Sequence, residues 1–169
     1  TAFLTDAQTA EAAALAKVKV ETKVWSYYVG RSSGAPAGYA YFDRVIVRTM
    51  PATVMASVAP DGTLRFLEVL TFEEPDDYRA SGRWLSQLKE RPLDGDLRVG
   101  GVLRNQTGAT LTSQAFTEAA RRMLAVHAVL SRGEDIDVTG ASPLPLKVPS
   151  VDGGSITFRV GQVHASPID

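Results

Sequence analysis

The sequence predicts an α+β fold, an antiparallel sheet with helices packed on it. Three observations predict it. A hairpin signal joins residues 53–58 (TVMASV) to residues 64–72 (LRFLEVLTF) through Pro60-Asp61-Gly62; Pro presets φ and Gly takes the positive φ that closes the turn. Two further runs rich in β-branched and aromatic residues lie upstream, which makes at least four strands. One amphipathic helical pattern then covers residues 113–130 (SQAFTEAARRMLAVHAVL), with Phe116, Ala120, Met123, Leu124, Val126 and Leu130 near one face.

Each element has its own warrant. Residues 4–16 are alanine-rich, with Thr5 and Asp6 as N-caps, and read as a short helix. Residues 21–29 (ETKVWSYYV) read as a strand, and 31–38 as a turn rich in Ser, Gly and Pro. Residues 39–49 resume as a strand with Tyr41, Asp43, Val45 and Val47 on one face and Phe42, Arg44, Ile46 and Arg48 on the other. Residues 74–77 start a loop or helix; Tyr78, Trp84, Leu85 and Leu88 mark a partly helical stretch, and 92–101 is a glycine-punctuated connection. Thr112 or Ser113 caps the long helix and Gly133 lies past its end. The organisation expected is a domain over residues 1–139, then a tail over 140–169: an extended linker with Pro143, Pro145 and Pro149, and a terminal strand over 155–163.

Composition narrows the function classes. A formal net charge of −1 over 169 residues, with basic residues scattered, gives no footprint for nucleic acid. With no cysteine, disulfides, thiolate catalysis and cysteine-ligated metal clusters are excluded. No apolar run approaches the roughly 20 residues of a membrane helix, and no signal peptide is visible. A start at Thr1 instead of Met reads as a processed or truncated product. His127 has Met123 and Ser131 at its i±4 positions and His164 stands alone, so neither marks a metal site; both read as helix or surface histidines. The acidic residues Asp76, Asp77, Asp94 and Asp96 read as turn residues.

The chemistry-bearing segment is Thr107-Gly108-Ala109-Thr110-Leu111-Thr112-Ser113, directly before the long helix. Gly108 and Ala109 leave room for a bulky group beside the backbone. Four hydroxyls cluster there, and the first N–H groups of the helix lack intrahelical partners. These are the parts of a phosphate cradle. The same residues also describe a glycine turn followed by a Thr/Ser helix cap, and spacing alone leaves both readings open.

The run TGATLTSQAF followed by a helix resembles the flavinylation motif of FMN-binding domains. Such domains occur in flavin-bearing subunits of the sodium-translocating NADH:quinone reductase and of the related Rnf-type complexes, and in stand-alone exported proteins. The family pattern is Asp, two variable residues, Ser or Thr, Gly, Ala, then Thr or Ser. Residues 38–130 are similar to the stand-alone members throughout, including YAYFDRVIVRTMP, VLTFEEPDDY and RWLSQL, and the opening FLTDAQ fits the same group.

The resemblance implies an FMN cofactor and an electron-transfer role, with other redox carriers or membrane electron-transport subunits as partners. It also implies an extracytoplasmic location and a phosphodiester bond to Thr110 installed by a flavin transferase that uses FAD. At one position the chain departs from the pattern: Arg104 stands where the family has Asp, six residues before Thr110. That Asp is tied to transferase recognition, so its reversal in charge leaves tethered and untethered FMN both open. A module that keeps the fold without the cofactor is the alternative.

On this reading the phosphate lies by Thr107, Gly108, Ala109, Thr110, Leu111, Thr112 and Ser113, and the ring lies near the loop of residues 72–78. Phe72, Tyr78 and Trp84 are the aromatic candidates to cover it. Glu73 and Glu74 are acceptors for ring N–H groups, with a solvated acidic loop as the plainer account of Glu74. Met50 and Thr53, flanking Pro51, border the ring from the neighbouring strand. No dinucleotide-binding glycine fingerprint follows a strand, so the chain reads as an electron carrier and not a self-sufficient reductase.

Overall fold

The computed structural model describes residues 1–132 and the backbone of two further strands, Leu146–Pro149 and Ser155–Arg159. The fold is α+β, as predicted. A small antiparallel pair, β1 (Ala2–Phe3) with β2 (Val24–Trp25), sits beside the main antiparallel sheet. The main sheet contains β3 (Tyr27–Ser32), β4 (Ala35–Ile46), β5 (Pro51–Val58) and β6 (Leu64–Phe72), each paired with its sequence neighbour. Strands β7 (Leu146–Pro149) and β8 (Ser155–Arg159) extend it beyond β3, in the order β6-β5-β4-β3-β8-β7. The expected terminal strand is thus present over Ser155–Arg159, and a strand occupies part of the segment read as linker. The rest of that tail lies outside the described residues.

The first helix, α1 (Asp6–Ala16), begins with a capping box: the Gln8 N–H donates to Thr5 Oγ1 at 3.1 Å, and the Thr5 N–H donates to Gln8 Oε1 at 2.9 Å. The predicted strand over 21–29 is broken at Ser26 into β2 and β3, which serve different sheets. The predicted turn over 31–38 is tighter than expected. Only Ser33 (φ 50°) and Gly34 (φ 83°) form it, both left-handed, as a two-residue hairpin with twisted strands requires.

After β6 the chain makes a 3₁₀ turn (Asp76–Tyr78), a short helix α2 (Gly82–Leu85) and a second 3₁₀ turn (Ser86–Leu88). The long helix α3 (Thr110–Arg132) then packs on one face of the sheet. Tyr41, Val45, Val54, Ala56, Val58 and Leu67 of the sheet meet Phe116, Ala120, Met123, Leu124 and Val126 of α3 in the core. Helix α1 packs on α3, and buried Arg121 ties the two to the connecting loop. Its Nε donates to Ala16 O at 2.6 Å, and its Nη1 donates to Asp94 O at 2.7 Å and Leu97 O at 2.8 Å.

Candidate functional site

Helix α3 starts at Thr110, three residues earlier than predicted. The reason lies in the hydroxyls. Thr112 is buried and donates to Tyr78 O; Ser113 is buried and donates to Ala109 O at 2.9 Å. Neither caps the helix from outside. Both are inside it, bonded inward, so their hydroxyls are not free for a phosphate, contrary to expectation. The Ser113 N–H is likewise spent on Ala109 O at 2.9 Å.

What remains open is the stretch before them. Gly108 has φ +85°, and a Cβ placed there would meet nothing within 4 Å. Glycine is required at this point by conformation, not by crowding. The Ala109 N–H donates to Gln106 O at 3.0 Å and closes the turn. Thr107, Gly108 and Leu111 are exposed and Thr110 is half-buried. Among the described residues nothing accepts from the N–H groups of Thr110, Leu111 or Thr112, the donors that a helix start leaves unsatisfied. Asn105 Nδ2 donates to Thr110 Oγ1 at 3.0 Å. That bond occupies a lone pair and leaves the Thr110 hydroxyl hydrogen available.

The loop is held by residues 78–87, a role that no single residue there announces in the sequence. Gln106 Oε1 accepts from the Ser81 N–H and from Ser81 Oγ, both at 2.9 Å, while Gln106 Nε2 donates to Arg79 O at 3.1 Å. Trp84 Nε1 donates to Arg104 O at 2.7 Å, and the Arg104 N–H donates to Gln87 Oε1 at 2.8 Å. Asn105, Gln106, Ser81 and Gln87 were therefore missed by sequence reasoning. Asn105 and Gln106 had one signal, two amide side chains just before Thr107-Gly108-Ala109, and Ser81 and Gln87 had none.

The ring candidates are partly committed elsewhere. Trp84 is 3% exposed, with its indole N–H spent on Arg104 O, so it offers little free face to a second heterocycle. Phe72 lies edge-on to Phe116 with centroids 6.3 Å apart, and Arg79 covers it at 4.9 Å. Tyr78 lies under the Arg48 guanidinium at 4.0 Å, and its carbonyl receives Thr112. Glu73 is exposed, its N–H donating to Pro51 O at 3.1 Å. Thr53 donates its N–H to Thr71 Oγ1 in the β5–β6 ladder. Met50 is 42% exposed. The Thr112–Tyr78, Arg48–Tyr78 and Met50–Glu74 contacts link the first turn of α3 to Tyr78 and Tyr78 to the β4–β5 turn that holds Met50.

Glu74 is neither a solvated loop acid nor a free ring partner. It is buried, and its Oε1 accepts three main-chain N–H groups: Arg48 at 3.1 Å, Thr49 at 2.6 Å and Met50 at 2.8 Å. Those donors, Thr49 and Met50 foremost, hold its carboxyl below the ordinary range. Glu74 thus shapes the β4–β5 turn that presents Met50.

His127 lies in the long helix, as read, and is buried in the core and not on the surface. Among the described residues no group of three His, Asp or Glu side chains is arranged to hold a metal, and no helix is long and apolar enough to cross a membrane. No family model matches the chain, and no curated protein matches it either.

Proposed function

We propose that the chain is an FMN-carrying electron-transfer domain, with the flavin phosphate at Thr107, Gly108, Ala109, Thr110 and Leu111. One observation carries this reading. A left-handed glycine with open space beside it adjoins a threonine hydroxyl on the first turn of a long helix, where main-chain donors are unspent. That arrangement fits a phosphate ester: small residues admit it, N–H groups face its charge, and Thr110 Oγ1 stands ready as an anchor. The resemblance of TGATLTSQAF to the flavinylation motif supplies the identity of the ester. Bound FMN would supply the redox chemistry, and the protein would supply position and electrostatics.

Within this reading Asn105 orients Thr110, Gln106 fixes the loop, and Met50, Glu73 and Tyr78 border the ring. Thr110 is an anchor and not a catalytic residue. Electrons would come from and go to other redox carriers or membrane electron-transport subunits, outside the cytoplasm, where a tether prevents cofactor loss. Arg104, in place of the family's Asp, favours a second reading: a binding or assembly module with this fold and no flavin.

Co-expression with a flavin transferase separates them. The purified protein is expected to be yellow, and colour surviving denaturation reports covalent FMN on Thr110. Thr110→Val is expected to abolish the covalent fraction with the fold unchanged by circular dichroism. Flavin persisting on denatured Thr110→Val protein places the anchor elsewhere, and a colourless wild-type protein sinks the flavin reading.

A further inference from the structure

Resting on the flavin reading, we infer that Arg83 and Arg104 form a phosphate-monoester subsite beside Thr110, which selects FMN over unphosphorylated flavin without a covalent bond. The site is a cleft of about 430 Å³ lined by Ser81, Arg83, Trp84, Gln87, Arg104 and Asn105, among others. Its volume falls in the range of roughly 300–1,000 Å³ typical of small-molecule sites.

Its charge sets it apart. The chain is nearly neutral, yet this cleft is lined by two arginines and no carboxylate. Two other clefts of similar size are both lined by Glu118, and one of them by Asp43 and Glu21 as well. Neither Arg83 nor Arg104 has an ion-pair partner among the described residues. Neither charge is paired by a carboxylate there, and the rest of the cleft wall is built from hydroxyls, amides and the Trp84 indole.

Arg104 is also well anchored at its base. Its N–H is held by Gln87 and its carbonyl by Trp84, so the origin of its side chain is fixed at both peptide bonds. The next residue, Asn105, lines the same cleft and reaches Thr110 Oγ1 at 3.0 Å. The cleft thus comes within one side chain of the anchor hydroxyl. A guanidinium is planar and matches two phosphate oxygens at once, which a compact ammonium cannot. A phosphate monoester carries the charge that two arginines would neutralise; riboflavin carries none.

The experiment uses the chain from a host without flavin transferase, titrated with FMN and with riboflavin by flavin fluorescence. FMN is expected to bind at least about tenfold more tightly than riboflavin, and the preference is expected to weaken with salt. The double variant Arg83→Gln/Arg104→Gln should lose the preference while riboflavin binding is unchanged. Equal affinity for the two flavins, or a preference that survives in the double variant, overturns the subsite and leaves the flavin reading standing. A second arm follows the Arg83 and Arg104 side-chain resonances by NMR during titration with inorganic phosphate. Shifts at both arginines are expected; their absence overturns the subsite, and binding of neither flavin overturns the flavin reading together with the subsite that rests on it.

Discussion

The Tyr41–His127 pair shows how a single side chain acquires its state from its surroundings. Tyr41 is fully buried, and burial pushes its phenol far above the ordinary value, so it keeps its proton. The protonated phenol stands 3.0 Å from His127 Nδ1 and Ser131 Oγ lies 3.4 Å from Nε2, so each ring nitrogen has a hydrogen-bonding partner. The Tyr39 ring leans on the same imidazole, with centroids 4.7 Å apart. Removing the phenol oxygen leaves the buried Nδ1 without its partner. Tyr41→Phe is expected to destabilise the fold by about 1–3 kcal/mol in urea unfolding. A loss below a few tenths would mean that water or a rearranged ring meets Nδ1. The helix alone shows Ser131 at i+4 but not Tyr41, which is 86 residues away in sequence.

Among the elements, the strands were the most legible. Alternation over residues 39–49 separated buried Tyr41, Val45 and Val47 from exposed Arg44 and Ile46 correctly, because a period of two is a local property. The Pro60-Asp61-Gly62 turn was legible for the same reason: Gly62 adopts φ +87°. The start of α3 was not, because Thr112 and Ser113 look like caps until Tyr78 O and Ala109 O are in place to receive their hydroxyls. Nor was the bracing of the motif loop, which depends on Gln106 meeting residues 79 and 81 from another element. That bracing has a measurable consequence. Gln106→Ala removes the acceptor of the Ser81 N–H, and amide hydrogen exchange at Ser81 is expected to speed up markedly while global stability falls by only about 1 kcal/mol. Unchanged protection at Ser81 would show that the loop is held by Trp84 and Gln87 alone. On the flavin reading the same variant loads less cofactor, since Asn105 and Thr110 lose their fixed base.

For the whole molecule, pH sums contributions from groups far apart in the fold. Burial lowers the His127 pKa, so the unfolded chain takes up a proton there before the native chain does. Stability from this group is full above the unfolded histidine value near 6.5 and falls as pH drops through it toward the native value. The Glu74 carboxyl, depressed by the main-chain donors of Thr49 and Met50, contributes above the unfolded carboxyl value of 4.5. That contribution is lost as pH falls through its native value. Asp43 has the opposite sign: burial outweighs its ion pair with Arg122 at 2.8 Å and raises its pKa, so acidification relieves a cost. The melting temperature should therefore respond to acidification in two stages, an upper decline set by His127 and a lower stage in which Glu74 and Asp43 oppose each other. His127→Gln, which keeps a hydrogen-bonding partner for Tyr41 without a titrating ring, is expected to flatten the upper stage and spare the lower. Glu74→Gln is expected to lower the melting temperature at neutral pH and to remove the Glu74 loss from the lower stage, shifting that stage toward Asp43's gain and sparing the upper. Thermal melts of the three proteins across the acid range test this, and an upper stage that persists in His127→Gln would assign it to a different group.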